Sequence, residues 1–268
     1  MAERAHLSGI FVYPVKSTAG VAVSEARVEH RGLAGDRRWA VTDASGDSLT
    51  AREFPKLLRI RARAGLSGLE MSAPGMPAVE VAVPAASAPR HSVTVWDDRC
   101  EGLRAGTEAE DWLARFLGLP CRLVYMDDAC VRPFAGAAGD GEVSFADNAP
   151  LLIVSSASLD DLNRRLDSPM DMRRFRPNLV AAGTGAYAED DWNRIRIGEA
   201  EFRAVERCDR CAVTTIDPDR AEKHPRQEPL RTLNQYRRAA DGGVYFGRNL
   251  KPERLGRIRI GDAVTIVD

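Results

Sequence analysis

Neither sign of charge is in excess in this chain, and that absence narrows its partners first. With 38 Lys and Arg against 39 Asp and Glu, the formal net charge is -1, so no bulk field draws nucleic acid or an anionic membrane. No apolar run reaches membrane-spanning length, and Met1-Ala2-Glu3-Arg4-Ala5-His6 lacks the charged-then-apolar profile of a signal peptide. A soluble, cytoplasmic protein with no nucleic-acid partner and no membrane partner is the expectation. Cysteine is scarce and odd in number. Cys100, Cys121, Cys130, Cys208 and Cys211 do not make a disulfide framework in 268 residues, so reduced thiols are expected. A chain of this length buries a core without metals or disulfides, as one large domain or two ordinary ones.

What is present reads mainly as strands. Residues 7–15 and 21–30 predict two opening strands. Residues 39–42 and 49–51 flank Asp43-Ala44-Ser45-Gly46-Asp47, a hairpin-type loop. Leu58, Ile60 and Ala62 alternate with Arg59, Arg61 and Arg63, the pattern of a strand with one wet face. Further short strands at 69–72, 79–83 and 92–96 suggest a sandwich or barrel over roughly the first hundred residues. A helix is predicted from Thr107, with Glu110 completing a capping box and Gly118 as the stop. Residues 121–126 predict a strand, 127–141 an exposed loop or linker, and 151–154 a buried strand followed by a helix led by Ser156 or Ser158. Strands at 178–182, 195–197 and 201–206, a helix from Pro229 to about Arg238, and a closing hairpin over 258–267 complete the chain. The fold class is therefore mainly β (α+β): two β-barrel-like units with a few packed helices, residues 1–120 and 121–268.

The chemistry concentrates in Arg207-Cys208-Asp209-Arg210-Cys211-Ala212-Val213-Thr214-Thr215. Positive neighbours favour a thiolate, the form that binds soft metals or attacks electrophiles. A structural zinc site needs four ligands, and after Cys211 the sequence offers only His224. A thioredoxin-like pair opens a helix, whereas Ala212-Val213-Thr214-Thr215-Ile216 favours β-structure. Two buried thiols acting as small hydrophobes are the bland alternative, and the flanking arginines argue against deep apolar burial. The residues alone lead to a reactive or metal-ligating thiol at one of the two positions.

This motif, with Glu228-Pro229-Leu230-Arg231-Thr232-Leu233-Asn234-Gln235-Tyr236-Arg237 after it, resembles the signature of MOSC-domain proteins. In the same order, Tyr13-Pro14-Val15-Lys16-Ser17, Gly35-Asp36-Arg37-Arg38-Trp39, Thr50-Ala51-Arg52, Asp160-Asp161-Leu162-Asn163, Phe175-Arg176-Pro177-Asn178 and Tyr187-Ala188-Glu189-Asp190-Asp191-Trp192 resemble landmarks of the amidoxime-reducing components and their bacterial relatives. The resemblance covers nearly the whole chain and names the first unit as a MOSC N-terminal β-barrel domain and the second as a MOSC domain.

What the resemblance implies follows residue by residue. The cofactor is a molybdenum pyranopterin (Mo-molybdopterin), and the activity is reduction of N-hydroxylated or N-oxygenated compounds by oxygen-atom transfer to Mo(IV). Cys211 corresponds to the molybdenum ligand and is the catalytic position; Arg210 beside it would favour a thiolate, and Cys208 is read as a packed thiol. Lys16, Ser17, Arg37, Arg176 and Asn178 correspond to cofactor contacts, with Arg52 and Thr214 added, because phosphate and pterin edges call for forked donors, hydroxyls and amides. Asp147-Asn148-Ala149-Pro150 departs from relatives expected to carry a hydroxyl there, so Asn148 or a backbone group must serve. Asp217 is a candidate proton relay that reads equally well as a turn residue. No cysteine follows Cys211, so no iron–sulfur cluster is expected, and electrons are expected from a separate ferredoxin, flavodoxin-type reductase or cytochrome. Relatives from animals carry an N-terminal anchor that is not expected here. The alternative is a cofactor carrier or sulfur-transfer module without reductase turnover.

Overall fold

The structure, a computed structural model, describes residues 4–65, 67–134 and 140–267. Its largest sheet has eight strands, in the order Val21–Val23, His6–Val12, Leu179–Ala182, Leu151–Ser155, Tyr245–Arg254, Ala200–Asp209, Arg194–Ile197 and Val264–Ile266. Neighbours are antiparallel except Leu151–Ser155 beside Leu179–Ala182, which are parallel and have the helix Ser156–Asn163 between them in sequence. A parallel pair needs such a crossover, because a tight turn can only reverse the chain. Four smaller sheets accompany it among the described residues, the larger ones including Trp39–Thr42, Arg122–Tyr125, Asp98–Arg104, Arg90–Val95, and Arg61–Ala64, Gly68–Ser72, Val79–Ala82. None of these sheets closes into a barrel among the described residues.

The first strand belongs to the sheet of the second half: His6 lies opposite Ala182 and Ile10 opposite Leu179. Near the other end of the chain, Gly256–Arg259 pairs with Glu25–Glu29. Leu7, Ile10, Ile153, Leu179, Ile197, Phe202 and Leu250 share one apolar cluster as a result, and a second forms around Leu57, Met71, Trp112, Leu113 and Leu123. Burying a side chain such as Leu113 contributes roughly 1.5–3 kcal/mol, so each cluster holds its strands firmly.

Several local expectations gave way to longer-range partners. The stretch 258–267 is not a hairpin: Gly256–Arg259 pairs with Glu25–Glu29, while Val264–Ile266 pairs with Arg194–Ile197. Residues 55–59 form a 3-10 turn that starts with Pro55, and the strand begins only at Arg61. The helix Thr107–Leu117 has Gly106 at its cap position, which carries no side chain to cap it, so Thr107 is the first helical residue, and Glu110 accepts from Arg104 Nε at 2.6 Å. The next helix is capped by Ser155, one residue earlier than expected, whose hydroxyl accepts from the Ala157 amide at 3.2 Å. Within 127–141, Cys130 and Arg132 are buried rather than exposed, and residues 135–139 lie outside the described residues.

Candidate functional site

Where the first strand ends, residues 13–18 run against residues 35–39. Lys16 N donates to Trp39 O at 2.8 Å, and Arg37 N donates to Tyr13 O at 2.7 Å. From the other half of the chain, Asn178 joins them at the start of Leu179–Ala182. Its side-chain oxygen accepts from Arg37 at 2.8 Å and its amide nitrogen donates to Phe11 O at 3.2 Å. Between these segments opens a cavity of about 430 Å³. Lys16, Ser17, Arg37, Arg52, Asn148, Arg176, Asn178, Arg210 and Cys211 all line it. Thr214 does not: it is buried beneath the thiol motif, where its hydroxyl donates to Cys211 O at 3.0 Å.

The cavity wall holds backbone in an unusual state. Ser17, Arg37, Trp96 and Arg176 have φ of 67°, 49°, 56° and 54°, in the left-handed region that residues other than glycine seldom adopt. Four such residues on one cavity wall indicate strain maintained where side chains must be aimed. Tyr13 is clamped between two of them, with the Arg37 and Arg176 guanidinium carbons 4.3 and 4.4 Å from its ring centre. Its hydroxyl donates to Pro177 O at 3.0 Å, and burial pushes its pKa up to about 12.

Charge is unbalanced here. Five cationic side chains line the cavity, Lys16, Arg37, Arg52, Arg176 and Arg210, against the carboxylates of Asp147 and Asp209. Burial lowers the pKa of Lys16, and it brings that of Arg176 down to about 10. Asp147 pairs with Lys16 at the cavity mouth, and the Lys16 ammonium holds its carboxyl down at about 2. The Asp147 side chain is 62 % exposed and that of Lys16 only 6 %, so solvent screens the pair and leaves the lysine incompletely compensated. Behind the wall, the buried Asp36 carboxylate accepts from Arg37 and from Tyr13 N at 2.8 Å, which orients the guanidinium. The Nε atoms of Arg52 and Arg210 are buried with no partner among the described residues. An anion with several acceptor oxygens satisfies such a donor set.

The thiol motif sits where the strand Ala200–Asp209 runs out. Arg210 N donates to Val244 O, and Asp209 accepts from Val244 N, both at 2.8 Å. Cys211 then opens a 3-10 turn, Ala212–Thr215, in place of the β-structure its composition favours, because Thr214 and Thr215 turn their hydroxyls back onto carbonyls. Cys211 is the exposed thiol of the five, and Cys208 is half-buried. The Arg210 guanidinium does not reach toward Cys211 as its sequence position suggests. It donates to Cys208 Sγ at 2.9 Å and to Phe175 O at 2.7 Å. Burial nevertheless keeps the Cys208 thiol above its ordinary pKa, against the opposing pull of Arg210. Asp217 lies outside the cavity wall: it caps its own turn through the amides of Asp219 and Arg220 and pairs with Arg174 at 2.9 Å.

Sequence reasoning passed over Trp96 and Asn249, and quoted Tyr13 and Asp147 inside longer motifs without giving either a role. Trp96 stands in a turn with no motif spacing to mark it. One signal was available at Asp36-Arg37, where adjacent opposite charges follow a glycine turn.

A donor-rich cavity beside an exposed thiol is the candidate site, and comparison with known proteins supplies the family. A model of the MOSC N-terminal beta barrel domain matches residues 4–120, and a model of the MOSC domain matches residues 140–265. The chain belongs to the MOSC-domain family. Mitochondrial amidoxime-reducing component 1 of Mus musculus is 35 % identical over 277 residues, covering 96 % of this chain and 81 % of the relative. Mitochondrial amidoxime reducing component 2 of Homo sapiens is also 35 % identical, over 273 residues, with 95 % and 81 % coverage. The molybdenum cofactor sulfurase of Oryza sativa subsp. japonica is 32 % identical over 285 residues, which are 93 % of this chain but 33 % of that protein. Among the described residues, no helix is long and apolar enough to cross a membrane.

Proposed function

We propose that this protein binds a molybdenum pyranopterin cofactor and reduces N-hydroxylated compounds. The observation that carries the reading is the coincidence of the exposed thiol, Cys211, with a cavity wall whose cations outnumber its carboxylates and whose Arg52 and Arg210 Nε atoms lack partners. A thiolate is the side-chain ligand best matched to a soft, sulfur-ligated metal, which assigns Cys211 as the metal ligand. When bound, the cofactor supplies a two-electron centre that removes the oxygen of an N–OH group, and the net reaction takes up two electrons and two protons and releases water. The chain's own residues do the rest. Lys16, Arg37, Arg52 and Arg176 hold anionic oxygens, Ser17, Asn148 and Asn178 donate and accept at polar edges, and Arg210 braces the strand end that presents the thiol. The electrons come from an electron-transfer protein, a ferredoxin, flavodoxin-type reductase or cytochrome.

Molybdenum and pterin content per chain test the assignment, on protein from a host that makes the cofactor. Wild type and Cys208→Ala are expected to retain both, and Cys211→Ala to lose the metal–thiolate signature in X-ray absorption. An anaerobic amidoxime-reduction assay follows. A wild-type protein that binds neither metal nor pterin would remove the basis for the assignment. The second reading, a cofactor carrier or sulfur-transfer module, is favoured by the match to part of the rice sulfurase, and predicts tight cofactor binding without turnover.

A further inference from the structure

Trp96 is out of keeping with its surroundings in three independent ways. It occupies the first central position of a two-residue hairpin turn, with Val95 and Asp98 paired on either side, and its φ is 56°. Turns of this length favour glycine or asparagine where φ is positive, and a bulky side chain there is a marked exception. The residue is 55 % exposed, whereas Trp39, Trp112 and Trp192 are 2 %, 1 % and 4 % exposed. It also lines the cavity, and the Arg52 guanidinium carbon lies 4.7 Å from its ring centre. The guanidinium covers one part of the indole and thereby fixes the ring, while the exposure leaves the remainder open at the cavity mouth. Phe145 and Val213 add apolar surface to the same cavity. A strained backbone that aims a large flat side chain into a concave site is a binding device rather than a packing residue.

We propose that Trp96, fixed by Arg52, is a platform on which a planar, π-conjugated N-hydroxylated substrate stacks at the cavity mouth. The inference deepens the reductase reading by naming a substrate class, and it rests on that reading only for the reaction, not for the binding. Stacking on an indole face is tolerant of ring identity, so the platform favours conjugated over aliphatic substrates without reading one particular ring.

Benzamidoxime and acetamidoxime carry the same N-hydroxylated head and differ in the ring. With the full-length protein as purified and no reductant present, calorimetry gives the two dissociation constants, and indole fluorescence reports the location, because the other three tryptophans are buried. Benzamidoxime is expected to quench the exposed indole and to bind roughly tenfold more tightly than acetamidoxime, the margin that about 1.4 kcal/mol of stacking supplies. In Trp96→Gly the margin falls close to one, and in Trp96→Phe most of it remains. Glycine accepts the turn's backbone angle, so Trp96→Gly folds, and a melting temperature no lower than wild type verifies it. Equal affinities for the two probes, an absence of quenching, or a margin that Trp96→Gly leaves intact overturns the proposal. The two readings fail separately. A protein that keeps the ring preference but binds no molybdenum discards the cofactor and keeps the platform. A loaded protein whose reduction rates show the same ring preference in wild type and Trp96→Gly discards the platform and keeps the reductase.

Discussion

Cys100 and Cys130 are 30 positions apart in sequence and meet inside an apolar cluster with Val93, Val95, Val124 and Phe145. Cys208 and Cys211 are three positions apart and stand on the wall of a cation-lined cavity. Both pairs have an arginine nearby, Arg132 in the first case and Arg210 in the second. Their chemistry nevertheless diverges. In the buried pair the Cys100 thiol donates to Val93 O at 3.8 Å, and the neighbouring Cys100 sulfur together with burial raises the pKa of Cys130. In the open pair, Arg210 is spent on Cys208 and on a backbone carbonyl, and Cys211 is left facing the cavity. An arginine next to a cysteine in sequence therefore does not identify the activated thiol; the direction of the guanidinium and the access of solvent do.

Three measurements break or sharpen that contrast. The largest effect is expected in native-state alkylation, followed by mass spectrometry. Cys211 should be modified at least about 100-fold faster than Cys100 or Cys130, since a buried thiol reacts only through rare openings of the fold. Comparable rates at Cys100 and Cys211 would erase the distinction. Next in size is stability. Cys130→Ala removes a buried sulfur packed in the apolar cluster that holds Cys100 and leaves a small cavity, and chemical denaturation should show a loss of about 1–3 kcal/mol, whereas Cys211→Ala in metal-free protein should stay within about 0.5 kcal/mol of wild type. A reversed order would mean that the exposed thiol is structural. The smallest effect concerns Arg210. Since Cys208 already lies above the ordinary thiol range, its labelling should require a higher pH than a free cysteine. Arg210→Met removes the opposing hydrogen bond, so the thiolate fraction falls further and labelling of Cys208 at fixed pH slows a few-fold. Unchanged or faster labelling would show that the Arg210 contact at 2.9 Å has no electrostatic effect on that sulfur.

The same distinction between local and long-range information separates what was legible in the chain. Strand alternation placed Ala62 inward with Arg61 and Arg63 on the wet face, and Ala62 is buried between two exposed arginines. Turn chemistry at Asp43-Ala44-Ser45-Gly46-Asp47 was equally readable: the Asp43 carboxylate accepts from the amides of Ser45, Gly46 and Asp47. Local rules failed where a distant group competed. Glu110 pairs with Arg104 rather than completing a capping box, and two different partners separate the strands of the expected last hairpin. In the cavity, the order of short motifs was enough to nominate Lys16, Arg37, Arg176 and Cys211, which the fold gathers on one wall. It could not nominate Asp147 as the partner of Lys16, 131 positions away, or Asn178 as the partner of Arg37, 141 positions away.

By itself, then, the sequence determined where most of the strands lie, that the two signs of charge are balanced, and which short stretch carries two closely spaced thiols. Those properties depend on residues within a few positions of one another, through side-chain alternation, turn preference and the chemistry of the side chain itself. Only the tertiary structure decided that the first strand completes the sheet of the second half, that Arg210 faces Cys208, and that Trp96 is turned into the cavity mouth. Each of these is a choice among competing partners, settled by which arrangement buries the most apolar surface while leaving the fewest polar groups unpaired.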